Sequence, residues 1–321
     1  MFFTNASIPE KHLPDKIVAM NASIASSISS CGHPLDTSDH SWGELMDSFP
    51  IRNDTPALRQ RMSEEGHLFF RGFFPRNLIA EARMSLLESL AKNEGIFDSA
   101  HPLSEGVLLT KIKSPIGFTP EIALGNPTIQ RVVFGPEIKE FYTCFLGGVI
   151  QHFDYVWVRS IGPGHGTRPH CDIVYMGRGT RELYTAWIPY GDISYDIGGL
   201  IILEKSHLQA SRIEKYLNSD VDTFCSNTPE RNGWKFGGAL STNPASLQKK
   251  FGGRWLSAEF RMGDLLTFRI DTIHASLDNH TDRIRLSTDT RYQLASEPVD
   301  ERWIGDNPIA HGPAGRRGML C

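Results

Sequence analysis

Cysteine is scarce in this chain. The five that occur, Cys31, Cys144, Cys171, Cys225 and Cys321, are scattered and form no CxxC pair. That excludes a disulfide framework and a cysteine-ligated zinc site, and it fits a reducing cytoplasm. Long apolar runs are missing as well. Nowhere does the chain offer the roughly 18 uncharged apolar residues that a membrane span needs, and its opening MFFTNASIPEKHLPDK has no basic stretch ahead of an apolar core. The expectation is a soluble, untargeted cytoplasmic protein. Charge of one sign is also lacking: a formal net charge of −4 is too small and too mixed for a nucleic-acid surface or a polybasic membrane anchor. Internal repeats and low-complexity tracts are absent. The class left standing is small-molecule chemistry, with no nucleic acid and no membrane as partner.

The organisation reads as helices first and strands second. Residues 1–54, rich in Ser, Asn, Asp and Pro, are expected to form an arm packed outside a domain. Thr55-Pro56 signals a helix start, His67 opens the short aromatic strand HLFFRGFF, and a helix follows Pro75. In that helix Leu78, Ala82, Leu86 and Leu90 predict one buried stripe ending at Gly95. A further helical stretch is expected over 127–146. From Val149 the period becomes strand-like, in the runs HFDYVWVRSI, HCDIVYM, LYTAWIPY, LIILEKSH, DLLTFRI and RIRLSTDTRYQL, each bounded by turn formers. Many short strands split by turns predict a sandwich or jelly roll. Residues 208–252 interrupt it with a charged helical piece and a Gly/Asn/Pro-rich stretch, the length of a binding loop or lid. The expected division is an arm (1–54), one domain (55–300, helical over 55–148 and barrel over 149–300) and a tail (301–321).

One chemical signal recurs three times. HxD occurs as His152/Asp154, His170/Asp172 and His280/Asp282. Two histidines and a carboxylate on one face hold a redox metal while leaving positions open for substrates, and in a strand residues i and i+2 point the same way. Residues 278–282, DNHTD, read as a solvated Asx turn, which removes the third candidate. His152 remains a competitor. His170 is favoured by its turn-rich entry GPGHGTRP and by the Trp187 and Gly198-Gly199-Leu200 that follow it.

Those residues carry a resemblance. The succession HCD, TAWIPYGDI, GGLIILEKSH, FRMGDLLTF, IHASLDN and RIRLSTDTRYQ, preceded by EEGHLFFRGFF and a long helix, is similar to the phytanoyl-CoA dioxygenase family of Fe(II)/2-oxoglutarate oxygenases. The likeness spans about residues 55–300. It implies a mainly β fold with flanking α-helices, a double-stranded β-helix (jelly roll, cupin-like) core. It implies that His170, Asp172 and His274 bind Fe(II), that Arg285 binds the distal carboxylate of 2-oxoglutarate, and that Ser276 and Trp187 assist. The implied reaction consumes O2, releases succinate and CO2, and oxidises a C–H bond, most simply to an alcohol. Asp172 supplies a carboxylate where related halogenases have a small residue, which argues against halogenation.

The turn at Asn279 makes the segments around His274 and Arg285 successive strands. A simple hairpin would put their Cβ atoms roughly 5 Å apart, and a crossing between facing sheets about 10 Å. Arg283 shares the alternation of Arg285 and is its rival; His207, in KSH, reads as a turn histidine. Tyr175, Arg168 and 208–252 are candidates for the substrate rim. Two other readings use the same fold: a cupin-like zinc or manganese enzyme without oxidation, and a jelly-roll binding module.

Overall fold

A computed structural model describes residues 28–92, 95–112, 117–118, 120–222 and 237–311. The expectations for 1–27 and for the remainder of the tail concern residues outside the described ones, as do Cys225 and Cys321. An antiparallel pair, β1 (Ser29–Ser30) and β2 (His33–Pro34), opens the described chain.

Four helices follow their sequence signals closely. Helix α1 (Thr55–Glu65) is capped by Asp54, whose carboxylate accepts the Ala57 N–H, and it ends on Gly66 in the left-handed region at φ 76°. Helix α2 (Arg76–Ala91) buries Ile79, Ala82, Leu86, Leu87 and Leu90. The expected stripe is thus displaced at its start, from Leu78 to Ile79, and the helix stops before Gly95. The stretch 127–146 is two helices, α3 (Pro127–Val133) and α4 (Pro136–Leu146), because Gly135-Pro136 cannot continue a helix.

The remaining described strands form two larger sheets, a sandwich and not a closed barrel. The larger runs in the order β4 (His67–Phe70), β11 (Leu265–Arg269), β8 (Tyr184–Pro189), β13 (Arg285–Leu294), β7 (Trp157–Ile161), β5 (Gly117–Phe118), with β6 (Ile150–His152) also on β13. The smaller runs β12 (His274–Ser276), β9 (Leu200–Leu203), β10 (Trp255–Ser257), β3 (Trp42–Glu44). The last, from the segment expected to be an arm, pairs in parallel with β10.

Alternation along the larger sheet separates two environments. Tyr184, Ala186 and Ile188 of β8, Val158 of β7, and Leu286 and Tyr292 of β13 face the helices, packing with Ile79, Leu86, Val132 and Tyr142. Tyr142 and Tyr292 stack at 4.1 Å. The opposite face of β13 carries Arg285, Ser287, Asp289, Arg291 and Gln293, all buried. A polar stripe there is enclosed because the smaller sheet lies over it. Burying polar and charged groups costs free energy unless they find partners, so the interior between the sheets is a place for chemistry.

Expectations for the second half are corrected. HFDYVWVRSI is two strands, β6 and β7. HCDIVYM is not a strand: His170 makes an isolated bridge, and Ile173–Met176 is one helical turn beginning after Asp172. Cys171, between the two donors, is buried in the core between the sheets.

Candidate functional site

His170 and His274 are brought together by the backbone. Each N–H donates to the other's carbonyl at 3.0 Å, the hydrogen-bonded antiparallel pair that directs two side chains to one side. Their ring centroids are 4.2 Å apart. His170 Nδ1 lies 2.7 Å from the Arg168 carbonyl and His274 Nδ1 3.1 Å from the Thr272 carbonyl. Those contacts fix Nδ1–H as donor in both rings and leave both Nε2 lone pairs facing inward. Two residues on, at the start of the helical turn, Asp172 directs Oδ1 to 3.6 Å from each Nε2. Backbone helicity, not strand alternation, aims the carboxylate.

Among the described residues this is the one cluster of three or more His, Cys, Asp or Glu donors that could share an ion, with its ligand atoms all within 4.8 Å of one another. All three residues are buried. Burial and the neighbouring His170 ring push His274 down to about 3. Burial acts to raise the Asp172 carboxyl, but Arg291 and the two histidines outweigh it and hold it well below the usual carboxylate range. Neutral imidazoles and an ionised carboxylate are the forms that ligate a divalent metal.

The other HxD pairs are elsewhere. His152 stacks on Phe134 at 4.2 Å, and its Nδ1 lies 3.4 Å from Asp154, with no third donor among the described residues to complete a cluster. His280 is exposed beside an Asx turn in which Asn279 accepts the Thr281 N–H at 3.0 Å. His207 is buried with Nε2 against the Ser63 carbonyl at 2.9 Å.

The crossing at Asn279 carries the chain from the smaller sheet to the larger one, so His274 and Arg285 face each other across the sandwich. A narrow cleft between the sheets is lined by all six expected residues, His170, Asp172, His274, Arg285, Ser276 and Trp187. Ser276 Oγ accepts the Thr167 N–H at 2.7 Å, which leaves its own proton for another acceptor. Trp187 packs edge-on against Phe260 at 4.7 Å. Arg285 is 2% exposed. It donates from Nη1 to the Gly198 carbonyl, while its buried Nε finds no acceptor among the described residues. Burial first, and then Arg159, pull it down to about 9. A buried cation in that state fits an anionic ligand, the need a dicarboxylate would meet. Gly198 at φ 87° forms the tight turn that offers its carbonyl. Arg283 does not share this face: it is 52% exposed and reaches Glu105 at 3.5 Å.

Sequence reasoning missed four residues behind the cluster. Asp172 Oδ2 accepts from Thr185 Oγ1 and Arg291 Nη2, each at 2.6 Å. Arg291 also donates to Asp289 at 2.8 Å, and Asp289 is gripped by Arg159 at 2.5 and 3.0 Å. The signal was the alternation of Arg285, Asp289 and Arg291 along one strand, which resembles a solvated face until the second sheet is known.

Outside the cluster the cleft widens into a cavity of about 540 Å³, which shares His170 and Asp172 with it. Its apolar wall is Tyr155, Trp157, Ile161, Tyr175 and Met176, and its polar edge includes His165 and His311. Of the rim candidates, Tyr175 and Gly237 line this cavity, whereas Arg168 is exposed, does not line it, and meets His170 through its carbonyl. The described part of 208–252 closes on this side: Tyr216 Oη accepts the Cys171 N–H at 3.0 Å and donates to the Gly238 carbonyl at 2.6 Å, and Leu240 N–H reaches the Pro169 carbonyl at 2.8 Å.

Comparison with known proteins shows the family of the chain. The model of the phytanoyl-CoA dioxygenase (PhyH) family matches residues 124–287, just over half of the chain. The 1-deoxypentalenic acid 11-beta-hydroxylase of Streptomyces exfoliatus is 26% identical over 266 residues, covering 79% of this chain and 86% of that protein. Its namesake in Streptomyces arenae is 24% identical over 268 residues, covering 79% and 87%. Among solved structures, the epimerase SnoN in complex with Fe3+, alpha ketoglutarate and nogalamycin RO superposes with a TM-score of 0.52 at 19% identity, over 81% of this chain and 94% of that one. The non-heme alpha ketoglutarate dependent carbocyclase SnoK gives 0.53 at 15% identity, over 80% and 89%. With iron, 2-oxoglutarate and O2 as its cofactor and co-substrates, this chain belongs to the phytanoyl-CoA dioxygenase family and is an iron- and 2-oxoglutarate-dependent oxygenase.

Proposed function

We propose that His170, Asp172 and His274 hold the iron, that Arg285 binds the distal carboxylate of 2-oxoglutarate with Ser276 and Trp187 beside it, and that the enzyme hydroxylates a C–H bond of a small, largely apolar molecule seated in the outer cavity. The observation that carries the reading is Arg285: a buried guanidinium with an unpartnered Nε, in the same cleft as the three donors. The guanidinium is a planar fork suited to a carboxylate, and Ser276 has a hydroxyl proton to add. The iron, when bound, couples decarboxylation of 2-oxoglutarate by O2, giving succinate and CO2, to insertion of the second oxygen atom into the substrate C–H bond.

The chain's own residues set orientation and exclude water. Trp187, Leu200 and Phe268 wall the inner cleft, and Tyr155, Trp157 and Tyr175 turn apolar surface toward the substrate. A cavity of this size and lining suits a compact ring system; the acid named for the Streptomyces relatives is the class we would try first. We further propose that 55–300 works as one catalytic unit with 208–252 as its lid, completed by β3 from the 1–54 segment and by Trp303 and His311 from the 301–321 segment. Among the described residues no helix is long and apolar enough to cross a membrane. Cys31, Cys144 and Cys171 are free thiols, and we place the enzyme in the cytoplasm.

Anaerobic titration of Fe(II) and then 2-oxoglutarate, followed by the metal-to-ligand charge-transfer band, tests the cofactor assignment. Stimulated succinate formation across a panel of polycyclic acids and alcohols tests the substrate class. Absence of the band in an Fe(II)-loaded protein would sink the co-substrate assignment.

A further inference from the structure

The two oxygens of Asp172 have different surroundings. Oδ1 faces the two Nε2 atoms at 3.6 Å each. Oδ2 is occupied on both lone pairs, by Thr185 Oγ1 and Arg291 Nη2, each at 2.6 Å. Arg291 is itself immobilised. It is 1% exposed, its Nη1 is held by Asp289 at 2.8 Å, both arms of Arg159 grip Asp289, and its guanidinium lies 4.1 Å above the Trp157 ring. Turning Oδ2 toward the histidines would break two short hydrogen bonds to a charged acceptor, which rank among the strong ones.

The consequence is a count of coordination positions. Two imidazoles and one carboxylate oxygen leave three positions open on an octahedral ion. Chelation by the keto acid takes two of these, and O2 needs the last. A carboxylate bound through both oxygens would fill it. We infer that Arg291, with Thr185 beside it, is a positioning residue that restricts Asp172 to one-oxygen coordination and so keeps the O2 position open. This rests on the ligand set proposed above.

Nitric oxide reports an exchangeable position on Fe(II) through the EPR signal of the ferrous nitrosyl, and it requires no prime substrate. The Fe(II)- and 2-oxoglutarate-loaded wild type, Arg291→Met, Arg291→Lys and Thr185→Val would each be titrated anaerobically. In Arg291→Met, Fe(II) and 2-oxoglutarate bind within about threefold of wild type while nitric oxide affinity falls at least about tenfold, the weight of one charge-assisted hydrogen bond. Arg291→Lys restores a donor and recovers most of the loss. Thr185→Val, which removes one donor of two, shows a smaller fall, and it carries the test if Arg291→Met does not fold. Nitric oxide binding within about twofold of wild type in the variants overturns the inference. So does loss of Fe(II) from a folded Arg291→Met, which would make Arg291 a support for the ligand itself. Asp172→Ala separates the two levels. If it keeps wild-type iron affinity, the ligand set is wrong; if it loses iron while the Arg291 and Thr185 variants bind nitric oxide normally, only the present inference fails.

Discussion

Replacing Arg285 with methionine keeps most of the side-chain volume and deletes the charge, without touching any of the three candidate ligands. The expected result has two parts of opposite sign. A charge-assisted contact to a carboxylate is worth about 1.5–3 kcal/mol, or roughly 10- to 150-fold in affinity, and leaving the carboxylate buried and unpaired raises the cost. With Arg285 only 2% exposed, 2-oxoglutarate affinity should fall toward the upper end of that range while Fe(II) affinity holds. The protein without co-substrate should respond the other way. Arg285 is a base whose pKa burial has pulled down to about 9, so its charge destabilises the fold fully at any pH below that value and less as pH rises through it. Near neutral pH, Arg285→Met should therefore unfold no earlier than wild type, yet lose most of the thermal shift that added 2-oxoglutarate gives. Anaerobic titration of the charge-transfer band and a melting curve with and without 2-oxoglutarate read both parts. Arg283→Ala, at an exposed position paired with Glu105, is the control and should match wild type in both. If Arg283→Ala weakens 2-oxoglutarate and Arg285→Met does not, the assignment of the anchor is refuted.

Four further outcomes are expected. Asp172→Ala should abolish turnover and greatly weaken Fe(II), since it leaves two neutral imidazoles without a charged ligand, while His152→Ala should leave Fe(II) titration unchanged. Gly198→Ala forces a side chain into φ 87° with its Cβ 2.6 Å from the Leu277 carbonyl; it should destabilise by roughly 1–3 kcal/mol and weaken 2-oxoglutarate by shifting the carbonyl that holds Arg285, both visible in the same melting and titration experiments. Trp303→Ala empties a fully buried site against Phe153, Tyr155 and Trp157; chemical denaturation should show a loss of about 3–5 kcal/mol. Burial pushes His67 down from 6.5 to about 4, so below pH 6.5 the unfolded chain takes up a proton that the folded one refuses. His67 should contribute roughly 1.4 kcal/mol per pH unit to the loss of stability across that window and nothing further below it, in addition to the same-signed contribution of His274, and His67→Gln should remove that one share from the slope of the denaturation profile.

The sequence by itself determined what depends on neighbours a few residues away. Asp54 before Thr55-Pro56 and Gly66 after Glu65 bound a helix through local hydrogen bonds and a left-handed φ, and Asn279 makes its Asx turn with Thr281; no distant residue is required for either. The strand runs of β8, β9, β11 and β13 were legible for the same reason, as period-2 or continuous apolar segments closed by turn formers. The choice of His170, Asp172 and His274 came from family resemblance, because HxD alone left competing pairs. Only the tertiary structure decided how these donors converge. HCDIVYM was read as a strand because a short apolar run looks alike in a buried strand and a buried helix. A bridge to His274 and a helical turn at Asp172 resolved it, and both depend on a segment about a hundred residues away. The same holds for Arg283 and Arg285, two residues apart with the same alternation: one meets solvent and Glu105, the other the cleft, because the chain crosses between sheets at that point. Arg159, Asp289 and Arg291 were invisible for the converse reason. Charged residues on alternate positions describe an outer face in any single strand, and only a second sheet placed over them turns that face into the floor of a buried cleft.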